Sequence, residues 1–302
     1  MCFVFPKFEA MKFIQSYEIN RLKWDKLVEN YGLCYQLSWY LDATAKNWCV
    51  LVNDEYTKGI ALAFNKAFGR KVLYPPIYSR TTQFISCSDK DIEIAYGLIL
   101  KEFPIGQLQL NKKIVCTDEL PTERVYQKLI TTSYNTQAKR MLSKANKNKL
   151  VIKDLKWKDG FYLIEQELAP KVKSIQGDNL VRLYKLLENL ESNGCLQSTG
   201  IYLDDCCEGA MYYVRDGKRI LYLKGAATEK VKKLGGMYLA MEHQINSCLA
   251  SGFEFDFGGS SIQGIQRFFK AFGGEDQTYY QYAWDNSPIW FKLIRNIRKS
   301  LK

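Results

Sequence analysis

The sequence predicts an α/β (α+β) protein made of two tandem, similarly built domains, each a mixed, largely antiparallel sheet flanked by helices. Three observations carry this expectation. The order helices, three-stranded meander, helix, strand occurs twice, about 150 residues apart, as in a duplicated unit. Apolar residues make up 47% of the 302 residues, ample for a core. No Pro/Gly/Ser-rich stretch separates the halves, so they are expected to pack as one body.

In the first half, 22–31 and 38–46 read as helices. Apolar runs at 48–53, 59–65 and 71–74, separated by turn residues at 54–58 and 66–69, read as an antiparallel meander. The spacing of Ile92, Ala95, Tyr96 and Ile99 makes 89–103 helical. Segment 106–111 alternates as a short strand, with Leu108 and Leu110 on one side. Next comes a basic helix, 135–147, with Ala138, Met141, Leu142 and Ala145 inward and Lys139, Arg140, Lys144 and Lys147 outward.

The second half repeats the order. Segments 157–169 and 179–193 read as helices, and 195–203, 208–215 and 219–225 as meander strands. In 234–250, Leu234, Tyr238, Met241, Ile245 and Cys248 form one helical stripe. A strand at 253–257, a helix at 261–272 and a last strand at 276–282 follow. The expected division is therefore a first domain at 1–133, a linking basic helix at 134–148, a second domain with the working site at 149–286, and a tail at 287–302.

Formal net charge is +11, from 43 Lys and Arg against 32 Asp and Glu, which favours polyanionic partners: a nucleotide cofactor, RNA or an anionic membrane surface. Nine cysteines at irregular spacing, with no CxxC, and a single histidine, His243, argue against a metal site and fit free thiols in a reducing compartment. The apolar opening is broken by Pro6, Lys7, Glu9 and Lys12 and lacks the core of a signal peptide. No apolar run is long enough to span a bilayer. These features together predict a cytoplasmic protein.

Four segments carry chemistry. Lys232, Lys233, Gly235 and Gly236 stand where a helix begins; glycines admit a ligand to backbone N–H groups, and a helix start carries roughly half a positive charge, suited to phosphate. On the strand at 253–257, Glu254 and Asp256 share a face opposite Phe253, Phe255 and Phe257, ahead of a Gly258-Gly259 turn. A carboxylate there could orient a substrate ammonium or accept its proton, or be tied to neighbouring backbone and lysine. Ser260, Ser261, Arg267 and Lys270 follow that turn as candidate cleft-lining groups. In the tail, Trp290, Leu293, Ile294, Ile297 and Leu301 oppose Lys292, Arg295, Arg298, Lys299 and Lys302, a basic amphipathic helix able to lie on an anionic membrane or dock on its own domain.

Taken together, these segments resemble the GNAT superfamily. From Ala227 to Tyr280 the glycine loop, helix, strand, Gly-rich break, helix ending in Phe-Gly and final strand follow the last part of a GNAT domain. The stretch DFGGSSIQGIQRFFKAFGGE, 256–275, is similar to the matching segment of the Fem peptidoglycan-bridge aminoacyltransferases. The basic helix NTQAKRMLSKANKNKLVI, 135–152, resembles the one before their second domain, and the segment from Asn20 resembles the start of short double-GNAT proteins. The resemblance implies two tandem GNAT-like domains and an acyl or aminoacyl transfer to a primary amine. The donor would be acyl-CoA (acetyl-CoA) or aminoacyl-tRNA, used directly and without a metal. It places Lys232 at the Arg/Gln position and Gly235 at the first Gly of the phosphate loop, with Met237 replacing the final small residue. Phe269 falls where acetyltransferases often carry a Tyr general acid. It implies Lys232, Lys233, Gly235 and Gly236 for the donor, Asp256 and Glu254 for catalysis, and Ser260, Ser261, Arg267 and Lys270 for substrate. Two other readings share these residues: a degenerate GNAT pair that binds an anionic ligand without turnover, and a peripheral membrane protein modifying lipid-linked cell-wall precursors.

Overall fold

The computed structural model of the protein describes residues 10–67, 69–115, 117, 119–260 and 262–288. The chain divides into two units, Met1–Arg124 with Tyr279–Lys302, and Val125–Thr278. The first contains β1 (Lys12–Gln15), α1 (Arg21–Tyr31), α2 (Ser38–Thr44), β2 (Asn47–Val52), β3 (Gly59–Ala67), β4 (Arg70–Leu73), α3 (Asp89–Glu102) and β5 (Ile105–Leu110). The next strand, β6 (Thr122–Leu129), leads into α4 (Thr136–Lys147), β7 (Val151–Asp154), α5 (Trp157–Leu163) and α6 (Asp178–Ser192). Then come β8 (Leu196–Leu203), β9 (Cys206–Asp216), β10 (Arg219–Ala227), α7 (Glu229–Leu234), α8 (Gly236–Ala250), β11 (Glu254–Asp256), α9 (Gln263–Lys270) and β12 (Gly274–Asp285).

Helices start where a polar side chain replaces a missing backbone partner. Asn20 accepts the Lys23 N–H before α1, and Asn135 accepts the Ala138 N–H before α4. At α3, Ser88 and Asp91 form a reciprocal capping box.

Within the first unit the strand order is β1-β2-β3-β4-β5-β12; within the second it is β7-β8-β9-β10-β11-β6. Each has one parallel pair, β4 with β5 and β10 with β11, and antiparallel neighbours elsewhere. The two halves therefore share one topology. In the first unit Leu51, Ile60, Leu62 and Phe64 on the sheet bury against Ala95, Tyr96 and Ile99 of α3. In the second, Ile201, Met211, Tyr213, Ile220 and Phe255 bury against Ala240, Met241, Ile245 and Cys248 of α8. Each fully buried side chain of this size contributes roughly 1.5–3 kcal/mol.

Three features differ from the sequence expectation. The last strand, expected inside the domain at 149–286, crosses units: Tyr280–Asp285 of β12 pair with Leu110–Ile105 of β5, while β6, which lies inside 1–133, pairs with β11 at Asp256↔Lys128. The last strand in each unit's order thus comes from the other half of the sequence. The basic helix α4 belongs to the second unit rather than standing between the two. The helix expected at 234–250 is broken: Gly235, at φ +93°, ends α7 and starts α8. Ser261 and, from 289 onward, the expected tail helix lie outside the described residues.

Candidate functional site

In the second unit β10 and β11 pair in parallel over only three residues, Arg219–Leu221 with Glu254–Asp256. Past that point β10 runs on to Ala227 beside β9, whereas the chain after β11 turns to β6: the Phe257 N–H donates to the Gln127 carbonyl at 3.0 Å. The two strands separate at their carboxyl ends. In sheets with parallel crossovers such an opening is where ligands enter, because the following helix start and the free strand ends face it.

Asp256 is 1% exposed and closes the base of this opening. Its Oδ1 accepts the Gly258 N–H at 2.8 Å, and its Oδ2 accepts from Arg219 Nη1 at 3.2 Å; Arg219 also donates to Asp216. Gly258 has φ +80°, and a Cβ there would lie 3.0 Å from the Tyr222 carbonyl, so glycine is what lets the turn hug β10. The pleat places Glu254 on the same side of β11, but Glu254 is exposed and pairs with Lys128 at 2.7 Å. The two candidate carboxylates thus have different surroundings.

Lys224, which the sequence reading passed over, stands on β10 three residues beyond the last β11 pair, opposite Tyr212 on β9 and just after a bulge at Tyr222. It is partly buried, and the surroundings of its amine lower its pKa below the ordinary lysine value by desolvation. A signal existed: in RILYLKGAA the only other charge is Arg219 at the strand's first position, so Lys224 stands alone within an apolar run. A π-helical turn, Ile164–Leu168, packs on β10.

The lysine and glycine group lies at the α7–α8 junction. Thr228 caps α7, and Glu229 follows it at the β10 end. Lys171 at 2.8 Å and Lys232 at 3.0 Å both donate to Glu229, and these hydrogen bonds hold its pKa down at about 2. Lys233 is exposed. Gly235 and Gly236 are buried for packing reasons: a Cβ on Gly235 would lie 2.3 Å from the Met141 carbonyl of α4, and one on Gly236 would lie 2.2 Å from Val231 Cγ1. Close helix contact accounts for both glycines, and a carboxylate sits at the helix start that follows β10; neither feature is the open glycine cradle expected for pyrophosphate.

After the Gly258-Gly259 turn, Ser260 Oγ accepts the Ile262 N–H at 3.0 Å, and its carbonyl accepts from Gln266. Arg267 donates to Gln263 at 3.2 Å on the exposed side of α9. Lys270 donates to Asp276 at 2.6 Å and, with Gln127, lowers that carboxyl's pKa. Phe269 is buried against Phe257 and Tyr222, so the site expected for a Tyr general acid is core. Among the described residues, no three His, Cys, Asp or Glu side chains converge as a metal site, and no helix is long and apolar enough to cross a membrane.

Residues 176–271, from just before α6 to just past α9, match the acetyltransferase (GNAT) domain family. The matched span lies inside the second unit. The whole chain is similar in fold to FemX, at 11% identity and a TM-score of 0.63, over 91% of this chain and 98% of that one. A tandem GNAT protein from the clavulanic acid biosynthesis pathway gives 0.51 at 9% identity, covering 92% and 99%. L-PGS from Bacillus licheniformis gives 0.56 at 11% identity, covering 92% and 96%. No curated protein sequence matches the chain. These structures share the chain's fold of two tandem GNAT-like units, and the β10–β11 opening lies within the matched span.

Proposed function

We infer that the chain moves an acyl or aminoacyl group directly to a primary amine at the β10–β11 opening of its GNAT domain. The observation that carries this is Lys224, a partly buried lysine on β10 beyond the last β11 pair. Its lowered proton affinity is what a general base for an ammonium acceptor needs. Asp256 acts as a positioning residue: with both oxygens engaged it shapes the Gly258-Gly259 turn instead of taking the proton. Glu254, exposed beside Lys128, is assigned to orienting the acceptor ammonium.

Lys232 and Lys233 supply positive potential for the phosphate-bearing donor, CoA or the acceptor end of a tRNA, and Gly235 and Gly236 place them by letting α4 pack closely. Ser260, Arg267 and Lys270 are assigned to the acceptor; Ser261, the fourth residue expected from the sequence, lies outside the described residues. The Fem resemblance and the packed glycines favour aminoacyl-tRNA over acyl-CoA. The likeness to L-PGS, together with the basic tail at 287–302, supports work at an anionic membrane face from the cytoplasmic side.

The test is transfer by the purified chain from labelled acetyl-CoA and from charged tRNA to a panel of amines, read by mass spectrometry, with Lys224→Met alongside. Binding of neither donor sinks the reading; donor binding without turnover supports a degenerate GNAT pair instead.

A further inference from the structure

Strand β10 turns two of its side chains to opposite faces just beyond its last pair with β11. Tyr222 stands opposite Tyr213 of β9; one extra residue, Leu223, then shifts the register, so that Lys224 stands opposite Tyr212 and Gly225 opposite Met211. Residues two apart on a regular strand share a face, and the bulge separates these two. Tyr213 and Met211 bury among Met241 and Ile245 of α8, whereas the Tyr212 hydroxyl donates to the Trp157 carbonyl of α5. Tyr222 and Gly225 therefore lie on the α8 face of β10, and Lys224 on the α5 face. Glu254 and Asp256, which alternate with the core residue Phe255, are on the α5 face with Lys224.

The Tyr222 phenol lies along the strand over Gly225: a Cβ on Gly225 would stand 2.8 Å from its hydroxyl. The rings of Tyr213 and Phe269, each with its centroid at 5.8 Å, hold it there. Buried phenols elsewhere are engaged: Tyr40 donates to the Tyr78 carbonyl, Tyr212 to the Trp157 carbonyl, and Tyr282 accepts the Ile114 N–H. The half-buried Tyr222 differs, because among the described residues its hydroxyl has no hydrogen-bond partner. Desolvation raises its pKa above the ordinary tyrosine value, so the phenol keeps its proton at neutral pH.

We propose that Tyr222 is a catalytic acid of the transfer, giving its hydroxyl proton to the leaving group of the donor on the α8 face of β10 while Lys224 takes a proton from the acceptor on the α5 face. This role rests on the acyl-transfer reading above. The acceptor nitrogen bonds to the acyl carbon and gives up one proton to the neutral Lys224 amine. The bond from the acyl carbon to the donor's oxygen or sulfur breaks, its electron pair stays on that atom, and the Tyr222 proton joins it. The Lys224 ammonium then returns a proton to the Tyr222 phenolate through solvent, restoring both groups. The role also accounts for Phe269: the proton donor packs against that ring from β10 instead of standing on α9. An alkoxide is more basic than a thiolate, so an ester donor depends on this proton more than a thioester does.

Tyr222→Phe in the full chain keeps the ring and removes only the hydroxyl. With charged tRNA, kcat is expected to fall about 100-fold, and with acetyl-CoA about tenfold, with KM changed less than about twofold for each donor that the chain uses. The urea midpoint should not fall, since no hydrogen bond is lost. Gly225→Ala, whose methyl meets the hydroxyl, should lower kcat about tenfold by itself and add nothing to Tyr222→Phe. A kcat within about threefold of the wild-type chain, additive losses for the two substitutions, or a lower urea midpoint for Tyr222→Phe overturns the role of Tyr222 and leaves the acyl-transfer reading standing. Transfer from neither donor by the wild-type chain overturns both.

Discussion

Asp256 and Gly258 are joined across a two-residue turn: the carboxylate accepts the glycine N–H at 2.8 Å while its other oxygen holds Arg219. That contact lies where the β10–β11 pairing ends. Because the carboxylate is 1% exposed, removing it takes one of two carboxylates from Arg219 and the side-chain acceptor from the Gly258 N–H in low dielectric. Asp256→Ala should cost about 3 kcal/mol in urea unfolding. Glu254→Ala, at a side chain 61% exposed, should cost less than about 1 kcal/mol.

Gly235→Ala should destabilise by about 2 kcal/mol or more, because the added methyl meets the Met141 carbonyl at 2.3 Å and the backbone stands at φ +93°. Gly264, in α9 with nothing within 4 Å of a built Cβ, is the control: Gly264→Ala should raise stability by about 0.5–1 kcal/mol. Equal loss at both sites would remove helix packing as the reason for the buried glycine pair.

Glu229 gives a pH signature. Lys171 and Lys232 hold its carboxyl at about 2, below the ordinary 4.5. A depressed acid stabilises above its unfolded pKa, so this contribution is complete above 4.5 and disappears as pH falls from there towards about 2. Glu229→Gln should flatten the acid limb of the stability curve in that window. The pair is exposed, so added salt should shrink the difference.

Lys224→Met should separate stability from activity. Burial lowers the folded-state pKa below the ordinary 10.5, so the unfolded chain binds the proton more tightly and the lysine costs stability as pH falls below that value. Replacing it with a similar apolar side chain should leave thermal stability at pH 7 unchanged or raise it by about 1 kcal/mol. Transfer should fall about 100-fold or more. A loss of stability with activity intact would make Lys224 a structural residue.

The sequence by itself determined the repeating order of elements, because period-two and period-3.6 apolar patterns are local. The meander strands β8 to β10 and the stripe of Met241, Ile245 and Cys248 were legible for that reason. It also determined the GNAT resemblance, carried by the run around Asp256 and Phe272. Only the tertiary structure decided that β6 and β12 change halves, since a strand's choice of edge depends on partners far away in sequence. It also gave the local features their meaning. Gly235 looks like a phosphate loop until Met141 is seen against it. Asp256 reads as a base until Arg219 and Gly258 are seen to engage both its oxygens. Lys224 is one more lysine until burial changes its hold on a proton. Chemistry at a site depends on solvation and neighbours, and long-range pairing sets both.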